Sequence, residues 1–191
     1  MHVINKKQSS GKSLLVLPLL FLAHSLLGQG LTFPRESINF RLDRQHFSVS
    51  GYYYFAGATG RFPVLYPFPN GSNVVDSATV TDSKELRSIA YTMQDNGLVF
   101  GLNRPSADTS VIQIYYREKL AGNKATYILT TTRAWGRALE QASYSLLVAP
   151  GIKVTSLSLK PDSEMDTPQG RLYFFIRKDF MPAGDFVVEF E

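Results

Sequence analysis

Apolar and polar residues alternate with period two along most of the chain. In the segment 46–55 (HFSVSGYYYF) the odd-numbered positions are apolar or glycine, whereas the even-numbered positions carry polar groups. The segments 111–120 and 185–191 alternate in the same way. This pattern predicts β-strands that bury one face and leave the other face wetter.

Turn residues separate the alternating segments. Asp95-Asn96-Gly97 lies between two such segments, and an Asn-Gly pair in this position is typical of a tight hairpin. About nine or ten antiparallel strands are predicted, drawn from the segments 46–55, 74–81, 89–94, 98–103, 111–120, 124–132, 142–148, 152–159, 171–178 and 185–191. We therefore predict an all-β fold, an antiparallel two-sheet β-sandwich of immunoglobulin-like or jelly-roll-like type, with a closed barrel as the alternative.

The remaining segments are predicted to be loops. Residues 56–73 contain three prolines and three glycines, and residues 160–170 are mostly polar. Only 133–141 offers a helical pattern, of barely two turns. The predicted organisation is a single domain over 31–191 that follows a targeting segment over 1–30.

Residues 1–30 have the pattern of a secretory signal peptide. Three lysines within the first twelve residues precede the apolar segment 13–22, and Ala23-His24-Ser25 then offers small residues at the −3 and −1 positions of a cleavage site. An uncleaved membrane anchor is the alternative, although the apolar stretch is shorter than the roughly 20 residues that a spanning helix needs. We expect an exported protein, periplasmic or extracellular in a bacterium, with membrane contact only through an uncleaved signal.

Charge and cysteine content exclude several classes of function. Removal of residues 1–30 leaves 17 basic against 16 acidic residues, so the formal net charge falls from +4 to +1 and nucleic acid is not an expected partner. The chain contains no cysteine, which excludes disulfides, thiolate metal sites and cysteine nucleophiles.

Histidine is also scarce, since only His46 remains after residues 1–30 are removed. One histidine cannot build a multi-histidine zinc site, and no nucleophile motif accompanies it. The acidic segment 162–166 (DSEMD) lacks the glycine and distal glutamate of a calcium loop. No catalytic residue, no metal site and no cofactor is predicted.

Three tyrosines fall on the polar faces of predicted strands, namely Tyr52, Tyr54 and Tyr115. Exposed aromatic platforms bind glycans by stacking or anchor protein partners. Cross-strand pairing that only stabilises the sheet is the alternative. We assign these tyrosines to a candidate ligand-binding set.

The segment 127–139 (YILTTTRAWGRAL) ends a predicted strand with three threonines and then carries the only tryptophan of the chain. Arg133 and Arg137 flank Trp135, and the arginines can stack on the indole or pair with loop acids. Threonine hydroxyls without a base are not nucleophiles. Arg133, Trp135 and Arg137 complete the candidate ligand-binding set, with core architecture as the alternative.

Several short motifs resemble a set of exported bacterial proteins of unknown function. They are Tyr127-x-Leu129-Thr130-Thr131-x-x-x-Trp135, Leu139-Glu140-x-Ala142-x-Tyr144, Ser50-Gly51-x-Tyr53 and Tyr66-Pro67-Phe68-Pro69. The resemblance covers about two-thirds of the chain after residue 30 and implies an exported β-sandwich. It brings no catalytic residue with it.

These observations together predict an exported, non-catalytic protein that binds an envelope protein, a peptide or a glycan. One alternative is a hydrolase of envelope polymers that uses a carboxylate pair. Another is a structural envelope component that pairs through an edge strand, with 186–191 as the available edge.

Overall fold

The structure is a computed structural model that describes residues 30–191, so the predicted signal segment lies outside the described residues except for Gly30. The predicted all-β class is confirmed. Within the described residues, no helix is long and apolar enough to cross a membrane. The strands are β1 (Leu31–Leu42), β2 (His46–Gly57), β3 (Gly60–Pro67), β4 (Val75–Asp82), β5 (Arg87–Ser88), β6 (Tyr91–Gln94), β7 (Gly97–Arg104), β8 (Ser110–Lys119), β9 (Lys124–Tyr127), β10 (Leu139–Val148), β11 (Val154–Leu157), β12 (Ser163–Thr167), β13 (Gly170–Phe180) and β14 (Phe186–Phe190).

These fourteen strands form three hydrogen-bonded sheets, which corrects the prediction of nine or ten strands in two sheets. The large sheet has the order β12-β13-β10-β1-β2-β8-β4-β5. The two small sheets are β11-β14-β9 and β3-β7-β6. Since β14 is paired on both sides, its edge is not free to bind a partner, contrary to the expectation for 186–191.

Four strands escaped prediction for physical reasons. β1 contains Pro34 and shifts register between Thr32 and Arg35, so its alternation is interrupted. β3 contains Pro63 and is an edge strand, the position where a sheet tolerates proline. β12 is acidic because it is the exposed edge of the large sheet, and charges protect such edges. β5 has only two residues.

Both small sheets pack against the same face of the large sheet. The Phe40 ring on β1 stacks on Phe186 of β14 with centroids 4.7 Å apart. The Tyr53 ring on β2 meets Tyr66 of β3 edge-on at 5.5 Å. The hydrophobic core lies between the layers and draws on all three sheets. The opposite face of the large sheet, which we call the outer face, keeps its side chains partly or fully exposed on β1, β2, β4 and β8.

The pairings divide the chain into two consecutive halves. Strands β1–β8 pair only among themselves, and so do β9–β14, apart from one ladder. That ladder joins β1 to β10 in parallel, with Asn39 opposite Ser145, while every other described pairing is antiparallel. The prediction of antiparallel pairing therefore holds inside each half and fails at the junction between them.

The threonine-rich segment ends its strand earlier than predicted. β9 stops at Tyr127, and Thr130–Trp135 forms a 3₁₀ helix. One carboxylate oxygen of Asp185 accepts hydrogen bonds from the backbone N–H groups of Leu129 and Thr130, both at 3.1 Å, and from the Thr130 hydroxyl at 2.7 Å. Gly136 then ends the helix with a φ of 68°, and β10 begins at Leu139, so only the first three residues of 133–141 are helical.

Candidate functional site

The outer face of the large sheet carries three of the six predicted ligand-binding residues. Tyr52 on β2 lies opposite Ser37 on β1 and Gln113 on β8. Tyr115 on β8 lies opposite Ser50 on β2. Tyr52, Tyr54 and Tyr115 are each half-buried, so their rings remain accessible on this face.

Uncharged polar side chains fill the space between these tyrosines. The Ser145 hydroxyl donates to the Asn39 side chain at 2.6 Å, and the Gln113 amide donates to the Ser50 hydroxyl at 3.4 Å. Cross-strand register extends the pattern in two adjoining rows, Thr81-Gln113-Tyr52-Ser37-Ser143 and Thr79-Tyr115-Ser50-Asn39-Ser145. We call these two rows the tyrosine–hydroxyl surface.

Arginines border the tyrosine–hydroxyl surface. The Arg35 guanidinium lies over the Tyr54 ring, 4.7 Å from its centroid. Arg117 pairs with Asp76 at 2.9 Å, and this hydrogen bond, together with the charge of Arg117, holds the pKa of Asp76 below its usual value although desolvation opposes the shift. The centre of the surface is therefore neutral, and its charges lie at the margin.

The other three predicted residues lie elsewhere. Trp135 is half-buried and packs on Phe33 and Phe55, with centroids 5.6 and 5.8 Å away, on the core side of the large sheet. Arg133 neither stacks on the indole nor pairs with an acid, since it donates to the carbonyls of Pro182 and Ala183 at 3.1 and 2.6 Å. Arg137 is exposed. The structure therefore does not bring the six residues together on one surface.

A recess opens beside Trp135, where the three sheets meet. Its volume is about 60 Å³. Accessible residues form the mouth, among them Leu65, Thr131 and Trp135. Buried residues form the floor, and Glu36 is the acidic one, with 5% of its surface exposed.

Hydroxyl groups surround the floor of this recess, which we call the Glu36 recess. The Tyr144 hydroxyl donates to Glu36 across the β1–β10 junction. The Tyr53 hydroxyl bonds to Tyr66 at 2.8 Å and to Tyr127 at 2.9 Å. Tyr53 thereby links one small sheet to the other, because Tyr66 lies on β3 and Tyr127 on β9.

Burial dominates the electrostatics of the Glu36 recess. It raises the pKa of Glu36 to about 7, although the hydrogen bond from Tyr144 opposes the shift. Burial, and then the nearby charge of Glu36, raises the pKa of Tyr53 well above its ordinary value. The tyrosines therefore stay neutral, and Glu36 changes charge near neutral pH.

The sequence patterns did not predict this recess, although several residues of the quoted motifs line it. Tyr53, Tyr66, Tyr127, Trp135 and Tyr144 all belong to the motifs quoted for the resemblance, and all line the recess or bond to groups that do. Glu36 belongs to none of these motifs, and its strand β1 was not predicted because Pro34 interrupts the alternation.

His46 and Asp162, two groups weighed in the sequence analysis, both have polar partners in the structure. The two ring nitrogens of His46 lie 3.6 Å from Asp43 and 3.4 Å from Asp76. Asp162 accepts from the Ile176 backbone and from Arg177. Within residues 30–191, no group of three or more His, Cys, Asp or Glu is placed to hold a metal ion.

The two buried glutamates do not form a carboxylate pair. Glu36 lies opposite Tyr53, whereas Glu118 lies opposite Phe47, six residues away along β2. At ~3.3 Å per residue the separation is about 20 Å, beyond the roughly 5–9.5 Å of glycosidase carboxylates. Glu118 instead accepts a 3.5 Å bond from Asn70, and burial raises its pKa to about 7.

Comparison with known proteins places the fold but not the activity. No family model and no curated protein sequence matches the chain. A candidate nutrient-binding protein from Legionella pneumophila superposes with a TM-score of 0.70 at 11% identity, covering 86% of this chain and 68% of that one. The M1 zinc metallopeptidase from Deinococcus radiodurans superposes with a TM-score of 0.52 at 12% identity, covering 84% of this chain.

The match covers less than half of the peptidase. This chain spans 42% of the metallopeptidase, and 43% of a mutant of it bound to a Tyr-Ser-Ala substrate, with a TM-score of 0.54 at 11% identity. At such identities the likeness is one of fold alone.

Proposed function

We propose that the protein is an exported, non-catalytic binding protein that recognises a neutral glycan chain through the tyrosine–hydroxyl surface. The observation that carries the proposal is the composition of this accessible surface, two adjoining rows of uncharged hydroxyl and amide side chains with Tyr52 and Tyr115 among them. Sugar rings present apolar C–H faces and hydroxyl groups. The tyrosine rings can stack on the C–H faces, and the polar side chains can form hydrogen bonds with the hydroxyls.

The fold likeness to a candidate nutrient-binding protein supports a binding role. Export rests on the signal-like pattern of residues 1–30, and the quoted motifs support membership of the exported bacterial set. The absence of catalysis is part of the proposal, and the distance between Glu36 and Glu118 supports it, because the two buried glutamates are too far apart to act as a glycosidase pair.

A protein partner is the second candidate, because one end of the outer face is apolar. Met165 on β12 and Ile176 on β13 are 52% and 58% exposed. Leu172, opposite Met165, and Phe174 lie between them and are half-buried. Exposed apolar groups next to a sheet edge are typical of protein interfaces.

The experiment is a binding screen of the purified protein against an array of neutral oligosaccharides, followed by calorimetry on the best binder. We expect Tyr52→Ala and Tyr115→Ala each to weaken that affinity about tenfold, or 1.4 kcal/mol, because each removes a stacking platform. Tyr91→Ala is the matched control, since Tyr91 is a half-buried tyrosine on β6, outside this surface.

The glycan proposal fails if no oligosaccharide binds or if the two surface variants bind as the wild type does. Capture of a protein that is lost in Ile176→Ser and retained in Tyr52→Ala would support the second candidate in its place.

A further inference from the structure

The Glu36 recess contains a buried acid without a positively charged partner. Within residues 30–191, no Lys, Arg or His nitrogen lies within 4.0 Å of the Glu36 carboxylate. In the same residues, Tyr144 is its one hydrogen-bond donor. A buried carboxylate in this situation must either take up a proton or pair with a cation.

The walls of the recess suit a cation. Phe33, Trp135 and Tyr53 surround the cavity, with the Phe33 ring 5.6 Å from Trp135 and 6.0 Å from Tyr53. Aromatic faces attract cations through the ring quadrupole. The chain of Tyr66, Tyr53 and Tyr127 hydroxyls uses two hydrogen bonds among three oxygens, so oxygen lone pairs remain to accept from a ligand.

The size of the recess narrows the choice of cation. About 60 Å³ is well below the roughly 300–1,000 Å³ of a pocket for a drug-sized ligand, so only a small group can enter the recess. A primary ammonium on a narrow alkyl chain fits that space, and its three N–H donors match the carboxylate and the tyrosine oxygens. A guanidinium or a trimethylammonium group is bulkier.

We propose that the Glu36 recess binds a primary alkylammonium group, from a small amine or from the lysine side chain of a peptide, with Glu36 as its counter-ion. The alkyl chain leaves through the mouth between Leu65, Thr131 and Trp135. This site is independent of the proposed glycan surface, because it lies on the opposite face of the large sheet.

Binding must depend on pH, because the counter-ion has to be ionised. The groups that face Glu36 are Tyr53 on β2, Tyr66 on β3, Tyr127 on β9 and Tyr144 on β10, and burial raises the pKa of each of them. They stay neutral while Glu36, with a pKa of about 7, gains its charge. The charge of Arg177 lowers the pKa of Tyr144 slightly against the effect of burial, but Arg177 itself forms an ion pair with Asp162.

The test is a titration of the purified protein with n-butylammonium chloride, with butan-1-ol as the uncharged analogue. Trp135 is the only tryptophan of the chain and lines the recess, so its fluorescence reports occupancy directly. We expect saturable binding of butylammonium, none of butanol, and an affinity that rises about tenfold from pH 6 to pH 8 as Glu36 ionises.

Glu36→Gln keeps the size of the side chain and removes its charge, so we expect it to lower butylammonium affinity at least tenfold at pH 8. Glu118→Gln is the matched control, since it makes the same change at the other buried glutamate and must leave the affinity unchanged. If Glu36→Gln fails to fold, Leu65→Trp serves instead, because this exposed mouth position can be filled without disturbing the core, and binding should be lost.

Two capped tripeptides distinguish the sources of the ammonium group, one with a central lysine and one with a central norleucine. Tighter binding of the lysine peptide than of butylammonium indicates a peptide ligand, and the reverse order indicates a free amine. No saturable binding of either amine at pH 8, equal affinity of Glu36→Gln, or equal binding of butanol would overturn the proposal.

Discussion

Tyr53 folds back over Gly51, so that its ring occupies the space a side chain at position 51 would need. A Cβ atom at position 51 would lie 2.5 Å from Cζ of Tyr53, a distance that real Cβ contacts do not reach. The absence of a side chain at Gly51 thereby sets the place of the hydroxyl that bonds to both Tyr66 and Tyr127.

Gly51→Ala should therefore displace the Tyr53 ring and break at least one of its two hydroxyl bonds. We expect a loss of about 2–4 kcal/mol in unfolding free energy, because overpacking is added to the loss of buried hydrogen bonds. Denaturant titration measures the loss. Gly101→Ala is the control, since position 101 is also in a strand but has open space around it, and equal losses in the two variants would contradict the account.

The stability of the protein should decrease as pH rises through neutrality. The folded-state pKa of Glu36 is about 7 against an ordinary value of 4.5, so the native state holds a proton that the unfolded state releases between these values. The stabilisation is complete below pH 4.5 and is lost as pH rises through 7, and it amounts to about 3 kcal/mol. Glu118 acts in the same direction.

Denaturant midpoints measured from pH 4.5 to pH 8 test this prediction. Glu36→Gln should remove the part of the slope that Glu36 causes, whereas Glu164→Gln, on an exposed ion pair with Arg171, should keep the wild-type slope. An unchanged slope in Glu36→Gln would show that Glu36 is not the group responsible.

Arg104 holds the turn between β2 and β3 from the inside. Its side chain is fully buried and donates to the carbonyls of Phe55, Gly57 and Ala58, and to that of Ala107. Arg104→Met should cost about 3–5 kcal/mol, because the buried carbonyl of Phe55 and three partly buried hydrogen bonds lose their donor at once. Thermal unfolding checks this, with the exposed Arg61→Met on the neighbouring β3 as the control that should stay near wild type.

Asp185 determines where β9 ends. We expect Asp185→Ala to cost about 2 kcal/mol, because the three hydrogen bonds from Leu129 and Thr130 are lost and two of them leave backbone donors unpaired. Amide hydrogen exchange at 129–135 should quicken together with the loss of stability. Asp166→Ala on the exposed strand β12 should change neither quantity.

Period-two alternation was sufficient to assign faces. Tyr52 and Tyr115 lie on the outer face as predicted, because each side chain in a strand points opposite to its neighbours whatever the strand pairs with. Alternation does not say which strands pair, however. Glu36 contacts Tyr144, 108 residues away, because β1 and β10 pair in parallel, and no local sequence pattern predicts that pairing.

Local sequence patterns also gave wrong predictions where a residue distant in sequence determines the backbone conformation. Thr130-Thr131-Thr132 has the β-branched composition of a strand, yet Asp185, 55 residues from Thr130, draws this segment into a 3₁₀ helix. Pro63 is read as a loop signal, but it is tolerated in β3 because that strand is an edge. Each failure has the same cause, a tertiary contact that outweighs the local preference.

The single ladder between the two halves of the chain has a consequence for the order of folding. As the chain emerges from a ribosome or a translocation channel, β1 to β8 can complete all their mutual pairings before β10 exists. Until then β1 presents an unpaired edge whose partner lies 106 residues further along, as between Asn39 and Ser145. An unpaired edge of this kind accepts foreign strands readily, so an interrupted chain should associate with other copies through β1.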